Sequence, residues 1–196
     1  MNERIDIKGF TNASLDWQAW LDVVNLAQAS PEQIAVLEMS NVKAKTSDYY
    51  LLLVHQPHIL QERSEAFNAI MYAPGGLSRA ERELGALVTS RVNGCVYCAA
   101  VHAQRFEQLA KRSDVVKQVF NAPQGAGTTA REKAITQFSM NLTSRPDAVN
   151  ASDIEALKAE GLTSLEIFDL INSVAIFAWA NRLMLNLGEP MAASTS

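Results

Sequence analysis

This chain of 196 residues reads as an all-α protein. Its helix starts are written out. Five hydroxyl residues stand three positions before a Glu or Gln: Ser30/Gln33, Ser78/Glu81, Thr129/Glu132, Ser152/Glu155 and Thr163/Glu166. In such a capping box each side chain satisfies a backbone N–H that a helix start leaves unpaired. The helix stops are equally visible. Gly161 and Gly188 follow periodic apolar runs, where a left-handed residue ends a helix, and Asn93-Gly94 separates two further runs. Strand signals are nearly absent, because no stretch of six or more residues alternates apolar with polar.

From the N-terminus, the pattern predicts helices over about 14–28, 31–41, 47–55 and 58–72. Pro31 follows the cap Ser30 and suits a first helical position, where a missing N–H costs nothing. Pro57 and Pro74-Gly75-Gly76 mark turns. Helices over about 79–92 and 95–111 come next, then about 114–121, 129–143 and 153–160, punctuated by Pro123 to Gly127 and by Pro146. The last helix covers about 164–187 and is the most hydrophobic stretch. Glu166, Asp169, Asn172, Asn181 and Arg182 interrupt it, so it should not span a bilayer. Being apolar nearly all round, it suits a core or a subunit contact.

No linker is long or biased enough to divide the chain, so residues 1–196 are expected to form a single all-α domain. There is one internal echo. Residues 78–88 (SRAERELGALV) and 129–139 (TAREKAITQFS) share the cap, the capping Glu, a following base and apolar positions at Leu84/Ile135 and Leu87/Phe138. A duplicated helical hairpin explains this, and so does shared capping grammar.

Composition excludes several classes. Hydrophobic residues make up 48% and charged residues 19%, which is a folded rather than a solvating chain. A net charge of -4, with Lys43, Lys45, Arg79, Arg82, Lys111 and Arg112 interleaved among acids, argues against nucleic acid as a partner. Met1-Asn2-Glu3-Arg4-Ile5-Asp6 lacks the apolar core of a secretory signal, so a cytoplasmic location is expected. In the cytosol a close cysteine pair is redox-active or metal-binding more often than a structural staple.

That pair is Cys95-Val96-Tyr97-Cys98. Asn93-Gly94 places Cys95 at a helix start, where unpaired N–H groups and the positive end of the helix dipole favour thiolate over thiol. His102 lies four residues after Cys98, one turn along the same face. An imidazole with a pKa of about 6.5 can take a thiol proton at neutral pH. Glu83 stands on the preceding helix. If the two helices pack as an antiparallel hairpin, it could orient His102, completing a nucleophile–base–orienter set. Blander readings stay open. The thiols could be inert and buried, Glu83 a solvated helix acid, and Cys95, Cys98 and His102 three zinc ligands, although structural zinc wants a fourth. Haem attachment would need His directly after Cys98, where Ala99 stands.

The stretch G-L-S-R-A-E-R-E-L…N-G-C-V-Y-C-A-A-V-H resembles the core motif of the alkylhydroperoxidase D-like group in the carboxymuconolactone decarboxylase superfamily. His55-Gln56-Pro57-His58 and Ala180-Asn181-Arg182 resemble its peroxidase-related branch. The resemblance is specific over residues 77–105 and looser over about 40–188. It implies an alkylhydroperoxidase D-like helical bundle, a homo-oligomer (trimer or hexamer), and a peroxidase relay whose roles fall on Glu83, Cys95, Cys98 and His102. The reductant it implies is a lipoylated or thioredoxin-like dithiol; no metal or other cofactor is assigned. One departure stands out. Family peroxidases often carry a histidine between the cysteines, and here Tyr97 stands there. A phenol with a pKa of about 10 is no base at neutral pH, though it can donate a hydrogen bond. Decarboxylase members lack the thiol pair, so their activity is not expected.

The function expected is thiol-dependent reduction of hydrogen peroxide or organic hydroperoxides, with Cys98 attacking and Cys95 resolving. The alternatives are a thiol–disulfide oxidoreductase that never meets peroxide, or a non-enzymatic redox or metal-binding protein. His55 and His58 are expected in turn or capping roles, the aromatic residues in the core or a subunit contact. Asn181 and Arg182, polar on an otherwise apolar helix, are noted as candidates to touch the active site or an interface.

Overall fold

The structure, a computed structural model, describes residues 3–193. It forms two compact units. The first takes the chain up to Ser14 together with Pro74–Arg182, and the second takes Leu15–Ala73 and the chain from Leu183 onward. Both are mainly helical.

The first unit opens with a small hairpin. β1 (Asp6–Ile7) pairs antiparallel with β2 (Phe10–Thr11) across Lys8 and Gly9, which take φ of 49° and 80°. Two positive-φ residues in a row match the twist of paired strands. In the second unit β3 (Leu15–Ala19) pairs antiparallel with β4 (Gly188–Ala192). α1 (Pro31–Ser40), α2 (Asp48–Leu53) and α3 (Pro57–Tyr72) lie between them in sequence and enclose Val36, Leu37, Ala44, Val54 and Leu60.

The strand β3 corrects the expected helix over about 14–28. Leu15-Asp16-Trp17-Gln18-Ala19 does alternate, with Trp17 buried and its two neighbours exposed. Five residues are too short a run to outweigh helical spacing, and the strand's partner lies at the other end of the chain. Beyond it only a single 3-10 turn forms, at Leu26–Gln28. Gly188 is likewise not a left-handed helix stop. It opens β4, and a Cβ there would run into the Trp17 ring and the Gln18 carbonyl, so the indole's packing excludes any side chain. Trp17 Nε1 donates to the Met184 carbonyl at 3.2 Å, which fixes that packing.

The first unit continues with α4 (Arg79–Asn93), α5 (Val96–Ala110), α6 (Asp114–Asn121), α7 (Ala130–Ser144), α8 (Ala151–Ala159) and most of α9 (Ser164–Leu187). The boxes at Ser30, Ser78 and Thr129 form in full, and Thr163 and Glu166 exchange the same two bonds at 2.7 and 3.3 Å. Helix α8 corrects the fifth. Its cap is Asn150, boxed with Asp153, and Ser152 lies inside the first turn. Asparagine caps as well as serine does, and a pattern restricted to hydroxyl residues passes over it.

Helix α4 is the centre of this unit. Every residue from Arg82 to Ser90 is buried, with α5 and α7 packed against it. By length and composition alone α9 would suffice to cross a bilayer. Yet Ile167, Leu170, Val174 and Phe177 are buried, and Asp169 receives Arg82 Nη2 at 2.9 Å.

Candidate active site

The site is built on the α4–α5 turn. Helix α4 ends at Gly94, whose φ of +79° no L-residue adopts cheaply, and a Cβ there would touch nothing. The glycine therefore serves the backbone alone. The Cys95 N–H returns to the Ser90 carbonyl at 2.9 Å, satisfying the end of α4 while Cys95 becomes the N-cap of α5. Cys98 is the third residue of α5, so both sulfurs sit on its first turn. They are joined as a disulfide with a Cα–Cα separation of 5.4 Å. The Cys95 side chain makes no cap hydrogen bond to the first turn of α5.

One turn on, His102 is buried against α4. Its Nδ1 meets Glu83 Oε2 at 2.6 Å, so the antiparallel hairpin does bring these two residues together. The other oxygen, Oε1, accepts from Arg79 Nε at 3.1 Å and also pairs with Arg79 Nη2. Arg105 Nη1 stands 3.8 Å from it. Glu83 has no solvent exposure. Burial pushes its carboxyl up, but the charge and hydrogen bond of His102, and then those of Arg79, outweigh this and hold it below its ordinary value. An ionised carboxylate can only accept, so Nδ1 of His102 carries a proton and Nε2 is the working nitrogen. The Phe177 ring packs edge-on against the imidazole, with centroids 4.1 Å apart and planes at 74°.

A second network fixes the turn. Asn181, fully buried on α9, accepts from Asn93 Nδ2 at 3.0 Å and donates to Ser90 Oγ at 3.2 Å. Ser90 is also the residue whose carbonyl receives the Cys95 N–H. Asn181 thus ties α9 to the segment that presents the thiol pair.

All four sequence candidates lie on the α4–α5 hairpin, Cys95 bonded to Cys98 and Glu83 in contact with His102. Tyr97, between the cysteines, is half-buried. His55 and His58 belong to the second unit, where His55 Nε2 meets the Asp22 carbonyl at 2.9 Å and His58 faces Glu32 at 3.4 Å. Arg182 bonds its own helix, to the Ala178 carbonyl at 2.6 Å. Sequence reasoning missed Arg79, although its i,i+4 spacing from Glu83 was a usable signal. It also missed Phe177, for which no local signal existed. Among the described residues no group of three or more His, Cys, Asp or Glu side chains is disposed to hold a metal ion. The arrangement is equipped to interconvert a dithiol and a disulfide beside an imidazole of fixed tautomer.

Residues 57–141, from the start of α3 into α7, match the carboxymuconolactone decarboxylase family, and all four candidates fall within that stretch. No curated protein matches the sequence at a significant level. Among solved structures, a peroxidase-related protein with an alkylhydroperoxidase core from Ralstonia eutropha JMP134 is 27% identical. The match covers 86% of this chain and 90% of that one, with a TM-score of 0.75. A peroxidase-related protein from Silicibacter sp. TM1040 is 21% identical over 87% of this chain and 92% of its own, with a TM-score of 0.70. The debrominase Bmp8 shares the fold at 16% identity, covering 84% of this chain and 88% of its own, with a TM-score of 0.67. Over residues 57–141 the chain thus resembles the carboxymuconolactone decarboxylase family, and its fold is similar to that of peroxidase-related proteins with an alkylhydroperoxidase core.

Proposed function

We propose that the protein is a thiol-dependent peroxidase that reduces hydrogen peroxide or organic hydroperoxides through Cys95 and Cys98. One observation carries this reading: a buried, ionised Glu83 fixes His102 at 2.6 Å, one helical turn from the disulfide-forming pair. In the reduced protein His102 takes the Cys98 proton, and the first turn of α5 favours the thiolate that results. The sulfur attacks the distal peroxide oxygen. The O–O bond breaks, the alcohol leaves with the proton from His102, and Cys98 becomes a sulfenic acid. The Cys95 thiol then displaces water from that sulfur, closing the disulfide. An external dithiol returns two electrons and two protons by exchange.

Exposure bears on both reactants. Cys95 is 2% and Cys98 5% exposed, so a small peroxide reaches them more easily than a protein surface does. For the same reason a lipoyl arm, slender and flexible, suits the reductive step better than a thioredoxin face, although both remain within the reading. A cytoplasmic homo-oligomer completes it. Leu165, Phe168 and Trp179 on α9 are exposed apolar residues, the kind of surface that self-association covers.

Stopped-flow fluorescence of the reduced protein against hydrogen peroxide and cumene hydroperoxide tests the reading, with dimedone trapping to locate the sulfenate. The expected result is saturable oxidation, with sulfenate on Cys98 in the Cys95→Ser variant. Rapid oxidation by a lipoyl or thioredoxin-type disulfide with no peroxide consumption would instead make the protein a thiol–disulfide oxidoreductase.

A further inference from the structure

The second unit buries a cation that no acid among the described residues answers. Arg63, on α3, is only 8% exposed. Its guanidinium carbon lies 5.7, 5.6 and 4.9 Å from the ring centres of Tyr49, Tyr50 and Phe67. Nη1 donates to Tyr50 Oη at 3.3 Å. Nε has no hydrogen-bond partner. Tyr49 Oη makes no hydrogen bond of full geometry either, although the guanidinium acts on it by charge and by a weaker hydrogen bond, which leaves the phenol's own O–H without an acceptor. Among the described residues Arg63 forms no ion pair.

The imbalance has a definite sense. Ring faces attract a buried cation, but they give its in-plane N–H groups no acceptor of ordinary strength. Burial pushes the Tyr49 phenol up despite Arg63, so its hydroxyl keeps its proton and remains a donor. Tyr50, having accepted from Nη1, has its own O–H to give. The cluster therefore holds a positive charge and a surplus of donors with nothing negative among the described residues to receive them. Native interiors rarely leave such groups unanswered. The edge of a guanidinium matches the planar fork of a carboxylate, and the surrounding rings favour one carried on an apolar body over a strongly hydrated inorganic anion.

We propose that Arg63, Tyr49 and Tyr50 form a binding site for a carboxylate group. Its oxygens take the Arg63 Nε–H and the Tyr49 O–H, and its apolar part lies among the rings. The carboxylate comes either from a free organic acid or from an acidic side chain of a second copy of this chain. The site lies in the other unit from the thiol pair and does not depend on the peroxidase reading.

Acetate serves as the probe, exchanged for chloride at constant ionic strength, with the full chain as the sample. Thermal melting and sedimentation are measured on the wild type and on Arg63→Gln. A melting temperature that rises saturably with acetate in the wild type, and not in Arg63→Gln, supports a free organic acid. An unresponsive wild type, together with a lighter sedimenting species for Arg63→Gln, supports a carboxylate from a second copy. Proteins that respond and sediment alike overturn the proposal. Should Arg63→Gln fail to fold, Tyr49→Phe removes only a hydroxyl that makes no hydrogen bond of full geometry. It should raise the half-saturating acetate concentration, or the dissociation constant between copies, by roughly three- to tenfold, the worth of one hydrogen bond. No change in either quantity overturns the proposal as well.

Discussion

Helices α4 and α7 begin in the same way and are put to different use. Each opens with a complete capping box, Ser78 with Glu81 and Thr129 with Glu132. Each capping glutamate also holds an arginine, Glu81 with Arg131 and Glu132 with Arg112. The two helices pack against each other. Their next turns differ. Two residues past the capping glutamate stands Glu83 in α4 and Ala134 in α7. Nine consecutive residues of α4, Arg82 to Ser90, are buried, whereas α7 buries only Ile135, Thr136, Phe138 and Ser139, a stripe along one side. A carboxylate can be kept out of water only where neighbours surround it and cations or hydrogen-bond donors answer it. Helix α4 meets both conditions through α5, which brings His102, and through its own Arg79. The ends differ too. Gly94 turns α4 directly into α5, while α7 runs into Arg145 and a 3-10 turn at Pro146–Ala148. Capping sets where a helix starts; what packs around it sets what it can do.

The largest expected effect separates the α4–α5 hairpin from the rest of the unit. Cys98→Ser should abolish peroxide turnover in a steady-state assay while leaving the circular dichroism spectrum unchanged. Residual turnover within tenfold of the wild type would place the attacking sulfur elsewhere. Next comes the orienting charge. Glu83→Gln removes the anion that fixes the His102 tautomer, and kcat/KM should fall about 100-fold, the worth of one well-placed acid–base group. Glu132→Gln, the control on α7, should leave kcat/KM unchanged. Equal losses from both would dissolve the distinction between the two helices.

Acid titration sharpens the contrast further. Burial pushes Glu132 up, but the hydrogen bonds from Arg112 and Thr128 pull it below its ordinary value, as His102 and Arg79 do for Glu83. Each group's folded-state value is depressed from 4.5. Each therefore contributes stability that is fully present above about pH 4.5 and is lost as the pH falls through the lower folded-state value. Denaturant melts at pH 3 and pH 6 should accordingly show a smaller loss in either glutamine variant than in the wild type. Only Glu83→Gln should also change the pH profile of kcat/KM. A stability loss on acidification that neither substitution reduces would mean that other carboxylates govern acid unfolding.

Much of this site could be read in the sequence because it is local. Gly94, Cys95, Cys98 and His102 lie within nine residues, and their spacing encodes turn, helix start and shared face. Glu83 is reached by one short hairpin. What was hidden depends on distant segments. Phe177 touches His102 from α9 with nothing local to announce it, and Asn181, conspicuous as a polar residue on an apolar helix, gave no sign that its partners would be Asn93 and Ser90. The fold shows the same division. The capped helices were legible, since a cap is a local bond. The strand over Leu15–Ala19 was not, because its pairing partner begins at Gly188 and five alternating residues cannot declare a strand alone. Gly188 itself looked like a helix stop because sequence shows a glycine and not the indole lying over it.

The smallest expected effects test whether the shared helix starts are equivalent. Ser78→Ala and Thr129→Ala each delete one N-cap acceptor, at a cost of about 1 kcal/mol. For a chain of this size that lowers the melting temperature by roughly 2–4 °C. The two losses should agree within about 0.5 kcal/mol, since each substitution deletes the same kind of cap bond. Activity is the more searching measure. Ser78 directly precedes Arg79, whose guanidinium holds Glu83 Oε1, so a frayed α4 start could release that contact. The remaining turns of α4 are buried and anchored, and Arg82 binds both Asp169 and the Gly75 carbonyl, at 2.9 and 2.7 Å. Fraying should therefore stop before it reaches Glu83, and Ser78→Ala should keep kcat/KM within about threefold of the wild type, as Thr129→Ala does, because one marginal cap bond is worth no more. A loss in Ser78→Ala approaching that of Glu83→Gln would show that the helix start and the proton relay are a single unit, and that α4 differs from α7 from its first residue.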